Sequence, residues 1–249
     1  MANGQKNPLV IGCLIAAAVG FVVFIVFIIL AFVLGSTFVS RTHSQAQLAM
    51  CRNQQRNLAL SLHNYESAHG RFPPACVKGK EGQPLYSWRV LMLPYIERSD
   101  LYDAFNREEA WDSAANERFS NMDVEPFQCP AREDNIPGVT DYVLVTGPGT
   151  VWDGDRQPRS LKDISHPEQT LLMIEVANSD IHWAEPRDLK IDAIDPSFLD
   201  ENGNFKCAHP TRGATAVFAD GRVEDIPPEQ VMEALQKLSQ IKQKKWKRE

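Results

Sequence analysis

The sequence predicts an α+β fold. One long N-terminal helix, membrane-spanning in its first half, packs on an antiparallel β-sheet, and a short C-terminal helix follows. Three observations predict this. The run from Leu9 to Leu34 is apolar and carries no charge. After it, Leu48, Cys51, Gln55, Leu58, Leu62, Tyr65 and His69 recur at alternating spacings of three and four, which is one helical stripe. From Thr140 onward, short β-rich runs replace the helical pattern, and Asp220-Gly221 joins two of them as a hairpin signal.

The apolar run explains the first element. At ~1.5 Å per residue it extends roughly 39 Å, more than the ~30 Å hydrocarbon core of a bilayer. One charge at its centre would cost about 3 kcal/mol. A cleaved signal peptide has a shorter apolar core followed by a small-x-small site. Here Ala16-Ala17-Ala18 lies inside the run. Val10-Ile11-Gly12-Cys13 loosely resembles a lipoprotein box, but the long run follows Cys13 instead of preceding it. The division expected is a short tail over 1–8, a transmembrane helix over 9–39, a globular domain over 40–235 and a basic tail over 236–249. Lys6 precedes the span and Arg41, Arg52 and Arg56 follow it, so charge alone leaves the topology open.

Net charge is −6, although six Lys or Arg and one Glu fall after Leu235. The rest of the chain is therefore more acidic still, which argues against a nucleic-acid partner. Lys242 to Arg248, with Trp246, could touch anionic lipid, but a solvated helix end is the plainer reading. The chain has five cysteines, with Cys13 in the span. Cys51, Cys76, Cys129 and Cys207 can form disulfides in an exported domain, and Cys51 with Cys129 is the preferred pair. No C-x-x-C occurs, so a zinc ribbon or thioredoxin signature is lacking.

The helix should reach His69, ended by Gly70 and by Pro73-Pro74, with a break possible at Gly35-Ser36. Tyr86 to Tyr95 reads as a buried helix or strand, Leu101–Phe105 and Asn116–Met122 as short helices. Asp141–Val145, Thr170–Val176 and Ala214–Ala219 read as strands, the last returning through Arg222–Ile226. Pro227-Pro228 opens a final amphipathic helix on Val231, Leu235 and Leu238.

No catalytic set and no cofactor are expected. Cys207 and His209 with Asp220 could form part of a nucleophilic or metal site, but a loop histidine bonded to the hairpin backbone is the plainer reading. Asp200, Asn202 and Asn204 offer alternating oxygen ligands for calcium. The twelve-residue calcium-loop pattern fails, because its last position is Thr211, and a plain turn fits the composition better. Glu175 stands in an apolar strand, so its carboxylate needs a partner, for which Arg89 or Arg187 is available. Trp183, Pro186 and Asp188 read as a packed corner. There is no G-x-S-x-G, H-E-x-x-H or phosphate-binding glycine loop.

Several phrases together resemble one family. They are Asn57–Tyr65, Gly70-Arg71-Phe72-Pro73-Pro74, Ser87-Trp88-Arg89-Val90-Leu91, Leu93–Glu97, Leu101-Tyr102, Phe127–Pro130, Thr140-Asp141-Tyr142, Glu175, Trp183 with Pro186 and Asp188, His209-Pro210 and Phe218–Gly221. Their order resembles the domain of unknown function 1559 family, pilin-like proteins abundant in planctomycetes. Its C-terminal part is called the H-X9-DG domain, and the likeness runs from about residue 45 to 235. Tyr65, Pro73, Pro74, Trp88, Cys129, Glu175, Trp183, His209, Asp220 and Gly221 carry its motifs.

The resemblance implies a pilin-type architecture, an N-inside anchor in the cytoplasmic membrane and a body outside it. It implies no enzymatic activity and no catalytic residues. Partners would then be the bilayer and proteins of the envelope, including other copies. Two features depart from the family. The start has no prepilin cleavage site and the apolar run has no Glu, so a lasting anchor is expected instead of a processed filament core. Ten residues, not nine, separate His209 from Asp220, and a local loop change should absorb the extra one. The alternatives are an extracytoplasmic module binding calcium or polysaccharide, and a tethered hydrolase using His209, Asp220 or Glu175.

Overall fold

The computed structural model describes the chain apart from residues 1–7, 133–135, 155, 208, 210–211 and 246–249, and apart from the side chains of 8–18, 35–44 and 238–245. The N-terminal tail, Cys13, Leu238, Pro210, Thr211 and the basic residues from Lys242 on, with Trp246, therefore lie outside the described residues or side chains. Two compact units result, Met1–Gln47 and Leu48–Glu249.

Helix α1 is assigned over Pro8–His69, and Gly35-Ser36 are helical within it. In the first unit every described side chain of residues 19–34 is exposed, with Phe32 at 76 %. Among the described residues no helix is long and apolar enough to cross a membrane. The remaining positions of the expected span, 9–18 and 35–39, are outside the described side chains.

In the second unit the stripe of α1 is buried from Leu48 to Leu62, whereas Tyr65 is half-buried and His69, at the helix end, is exposed. Leu48, Cys51, Gln55, Leu58, Ala59 and Leu62 all face inward. The helix ends where Gly70 turns to φ +74° and its N–H reaches the Glu66 carbonyl at 2.7 Å, a glycine C-cap. A small hairpin follows, β1 (Cys76–Lys78) with β2 (Pro84–Ser87). Ser87 then caps helix α2 (Trp88–Met92) by accepting the Arg89 N–H. Pro94 sits at the start of a 3-10 turn over Leu93–Ile96, where its missing N–H costs nothing. Two short helices follow, α3 (Ser99–Ala104) and α4 (Glu117–Ser120).

The main sheet comprises β3 (Tyr142–Thr146), β4 (Leu171–Glu175), β5 (Leu189–Lys190), β6 (Ala214–Phe218) and β7 (Val223–Ile226). Their order is β5-β3-β4-β6-β7. β3, β4, β6 and β7 pair antiparallel, but β5 lies parallel to β3. The expected antiparallel sheet is thus corrected to a mixed one. The chain leaves β4 by a long excursion over residues 176–188 and so enters the free edge of β3 in the same direction.

Alternation along the strands sorts the two faces. Tyr142, Leu144, Met173 and Val217 join the cluster that holds Cys51, Leu58 and Leu62 of α1. Val143, Val145, Ile174, Ala214 and Ala216 join a second cluster with Val231 and Leu235 of the last helix, α5 (Pro228–Lys245). A helix therefore covers each face, which is a three-layer arrangement.

Candidate disulfide and metal-ligand site

Glu175 ends β4 opposite Tyr142 of β3, and Thr215 lies between Ala214 and Ala216 on β6. A period of two sends Glu175 and Thr215 to the face covered by α1. Cys51 projects from the α1 stripe toward them, and Gln55, one turn later, donates its Nε2 to the Thr215 carbonyl at 3.4 Å. Cys129 arrives from the loop before β3. Its N–H donates to Asp141 Oδ2 at 2.6 Å, and the Asp141 carbonyl accepts the Val176 N–H at 2.8 Å, just beyond β4. Cys51 and Cys129 are disulfide-bonded, with Cα atoms 5.3 Å apart.

His209 completes the group. Its carbonyl accepts the N–H of Arg212 at 2.9 Å and of Gly213 at 2.8 Å, which closes a turn just before β6. Gly213 holds φ +97°, and a Cβ there would lie 1.8 Å from the Ile226 carbonyl oxygen on β7. Only glycine permits this close approach. The His209 Nε2 lies 3.8 Å from Cys129 Sγ and 3.9 Å from Glu175 Oε1. One potential ligand atom from each of Cys51, Cys129, Glu175 and His209 lies within 4.8 Å of all the others.

The electrostatics are unusual. Glu175 is wholly buried, and among the described residues neither carboxylate oxygen has a hydrogen-bond partner. Burial pushes its pKa up to about 8, with Thr215 offsetting part of the shift from beyond hydrogen-bond geometry. Burial also lowers the His209 pKa below 6.5, opposed by Asp225 and assisted by Arg212 and Arg52. Near neutral pH both groups are uncharged, so their approach is a contact of neutral side chains and not an ion pair. Arg52 itself is paired with Asp225.

The expected partners of Glu175 are corrected. Arg89 is wholly buried and donates to Asp188 Oδ1, to the Tyr142 carbonyl and to Ser87 Oγ. Arg187 pairs with Glu185 and Asp180. Both arginines find their partners in the 180–188 excursion that covers the β3 edge, so neither is free for β4.

Asp220 is not brought to His209. β6 runs between them, and its five residues at roughly 3.3 Å each hold the two about 17 Å apart. Asp220 instead accepts from Arg222 Nε at 2.6 Å and from the Arg222 N–H at 3.1 Å, and Gly221 turns the hairpin at φ +84°. Cys207 is half-buried and free, its thiol pushed up to about 11 by burial and then by Glu175. Asp200 serves a turn. Its carboxylate accepts the N–H groups of Asn202 and Asn204 at 2.8 Å each, and Asn204 Nδ2 at 3.2 Å.

The remaining motif residues build the core. Trp88 donates Nε1 to Asp188, while Trp183 stacks on Phe127 and donates to the Met122 carbonyl. The Pro73 carbonyl accepts Trp152 Nε1 at 2.7 Å, Pro74 lines the adjoining groove, and the Tyr65 ring lies against His69 and Tyr95. The meeting of His209 with Cys129 and Cys51 was not legible from spacing, because the residues come from α1, two loops and β4. The one available signal was Glu175, a carboxylate in an apolar strand.

A family model described as protein of unknown function (DUF1559) matches residues 46–178. That range holds Cys51, Cys129 and Glu175 and stops before His209. Comparison with curated proteins and with solved structures finds no match.

Proposed function

The chain belongs to the family described as protein of unknown function (DUF1559), and on that footing we propose that it is a membrane-anchored, pilin-like protein of the cell envelope with a structural or assembly role and no catalysis. The carrying observation is the division of labour along α1. Its described residues 19–34 expose apolar side chains throughout, whereas Leu48, Cys51, Leu58, Ala59 and Leu62 are buried on the side that faces the sheet. A run of exposed Phe, Ile, Val and Leu is costly in water and suited to lipid. The proposed topology is single-pass with the N-terminus inside and the body outside, a compartment in which the Cys51–Cys129 disulfide persists.

An assembly role draws support from the outward face of α1. Met50 and Leu60 are exposed there beside a groove of about 890 Å³ that Tyr95 and Glu97 also line. A non-enzymatic role draws support from Cys207, whose thiol is shifted away from the thiolate that a nucleophile needs, and from Asp220, which is held by Arg222.

Fractionation of native membranes tests the anchor. The full chain should stay in the membrane through alkaline extraction, and its body should be cleaved by protease from the outer side only. Release of the full chain by alkali overturns the reading. A photo-cross-linking residue at Leu60 should capture a neighbouring protein or a second copy, and capture of nothing removes the assembly role.

A further inference from the structure

We propose that the dithiol form of this protein holds one soft divalent metal ion, of the zinc class, between Cys51 Sγ, Cys129 Sγ, Glu175 and His209 Nε2. The proposal concerns chemistry that neither the family description nor the anchoring role assigns.

The donor set is that of a closed tetrahedral site, with two thiolates, one imidazole and one carboxylate. Zinc–ligand bonds of about 2.0 to 2.3 Å place neighbouring donors roughly 3.3–3.8 Å apart. The distances from His209 Nε2 to Cys129 Sγ, 3.8 Å, and to Glu175 Oε1, 3.9 Å, lie close to that range. All four donors lie within 4.8 Å of one another, so loading the site needs side-chain adjustments of an ångström or so and no change of fold.

An independent observation points to a ligand. Glu175 is wholly buried, and among the described residues both its oxygens are without a hydrogen-bond partner, although the carboxylate lies in this cluster. A buried polar group in that condition is costly, and a cation beside it would remove the cost. Cys129 lines a cleft of about 290 Å³ together with Gln54, Asp123 and Glu125, so the cluster is approached from the Cys129 side. The His209 side chain is 11 % exposed.

The disulfide and the metal exclude each other, because a sulfur bonded to sulfur has no thiolate pair to give. A dithiol reductant must open the bond first. It passes two electrons and two protons to Cys51 and Cys129 and becomes a disulfide itself. Metal entry then releases the two thiol protons and the Glu175 proton, while His209 binds through a lone pair it already has. Two thiolates and one carboxylate against a dication leave one net negative charge, and Arg52 and Arg212 are the cations that act on His209. The same cluster thus holds the Cys51–Cys129 disulfide under oxidising conditions and a four-ligand metal centre under reducing ones.

The test uses the full chain in detergent, reduced, desalted and titrated with cobalt(II) as a spectroscopic stand-in for zinc. The dithiol form should take up one cobalt per chain with a thiolate-to-metal charge-transfer band, and the disulfide form none. Cys51→Ser or Cys129→Ser should abolish the band, and His209→Ala should weaken binding by more than about tenfold. Cys207→Ser and Cys76→Ser should leave the band unchanged. A dithiol form that binds no cobalt overturns the proposal, as does a band that survives Cys51→Ser and Cys129→Ser. Should reduction loosen the fold, zinc must still raise the melting midpoint of the dithiol form and leave that of the disulfide form alone. An unchanged midpoint on zinc addition likewise overturns it.

Discussion

Arg89 Nη2 donates to Asp188 Oδ1 at 2.9 Å with both side chains shut away from water. The pair ties α2 to the segment entering β5, nearly a hundred residues later. The same Asp188 oxygen accepts Trp88 Nε1 at 3.3 Å and the Leu144 N–H at 2.9 Å, so one carboxylate gathers α2, β3 and the 180–188 excursion. This gives the Ser-Trp-Arg phrase a physical meaning: Ser87 caps, Trp88 and Arg89 clamp. Removing one partner leaves the other charge buried and uncompensated, which costs about 3–5 kcal/mol. Arg89→Ala should lose that much in chemical denaturation of the full chain. Arg89→Lys should recover only part of it, because an ammonium cannot serve Ser87, Tyr142 and Asp188 together.

Glu175 sets a pH dependence of opposite sign to the usual carboxylate. The folded protein keeps this proton up to about pH 8, whereas the unfolded chain releases it near the ordinary value of 4.5. Between those values the native state binds more protons, so stability falls as pH rises, by at most about 1.4 kcal/mol per unit. Glu175→Gln keeps the shape and removes the titration. Urea melts of the disulfide form across this window should show the variant with the flatter profile and its largest advantage at the alkaline end. Parallel profiles would count against the buried, unpartnered carboxylate.

Gly213 should not tolerate a side chain. An added Cβ meets the Ile226 carbonyl oxygen at 1.8 Å, and φ +97° is strained for any L-residue. Gly213→Ala should cost several kcal/mol or prevent folding, whereas Gly203→Ala, at φ +80° with open space around its Cβ position, should cost about 1–2 kcal/mol. Thermal melting of the two variants decides it, and equal losses would remove the close-approach argument.

The Cys51–Cys129 bond closes a loop with a sequence separation of 78. Loop-closure entropy for that length corresponds to about 4.5 kcal/mol. Under a chelator, reductant should lower the denaturation midpoint of the native sequence and leave that of Cys51→Ser/Cys129→Ser unchanged. A native midpoint insensitive to complete reduction would show that the cross-link adds no stability.

Much of the fold was legible in the residues. The stripe from Leu48 to Leu62, the C-cap at Gly70, the strands around Val143 and Ile174 and the Asp220-Gly221 hairpin all depend on neighbours within a few positions. Periodicity and turn chemistry report such local dependence directly. β5 was not legible, because two residues carry no period, and its parallel entry depends on where the excursion after β4 returns.

The candidate site divides in the same way. The residues alone show that Glu175 is an apolar-strand carboxylate in need of company, that Leu9 to Leu34 carries no charge and that four cysteines follow it. Long-range packing chose the company. Arg89 and Arg187 went to Asp188 and to Asp180 with Glu185, Asp220 stayed at the far end of β6, and His209 came to Glu175 beside Cys51 and Cys129. The reason is geometric. Strand alternation fixes which face a side chain takes, but the residue it meets there is chosen by the register of β4 against β6 and by the packing of α1 over both. Those are relations between segments far apart in the chain, and no local pattern encodes them.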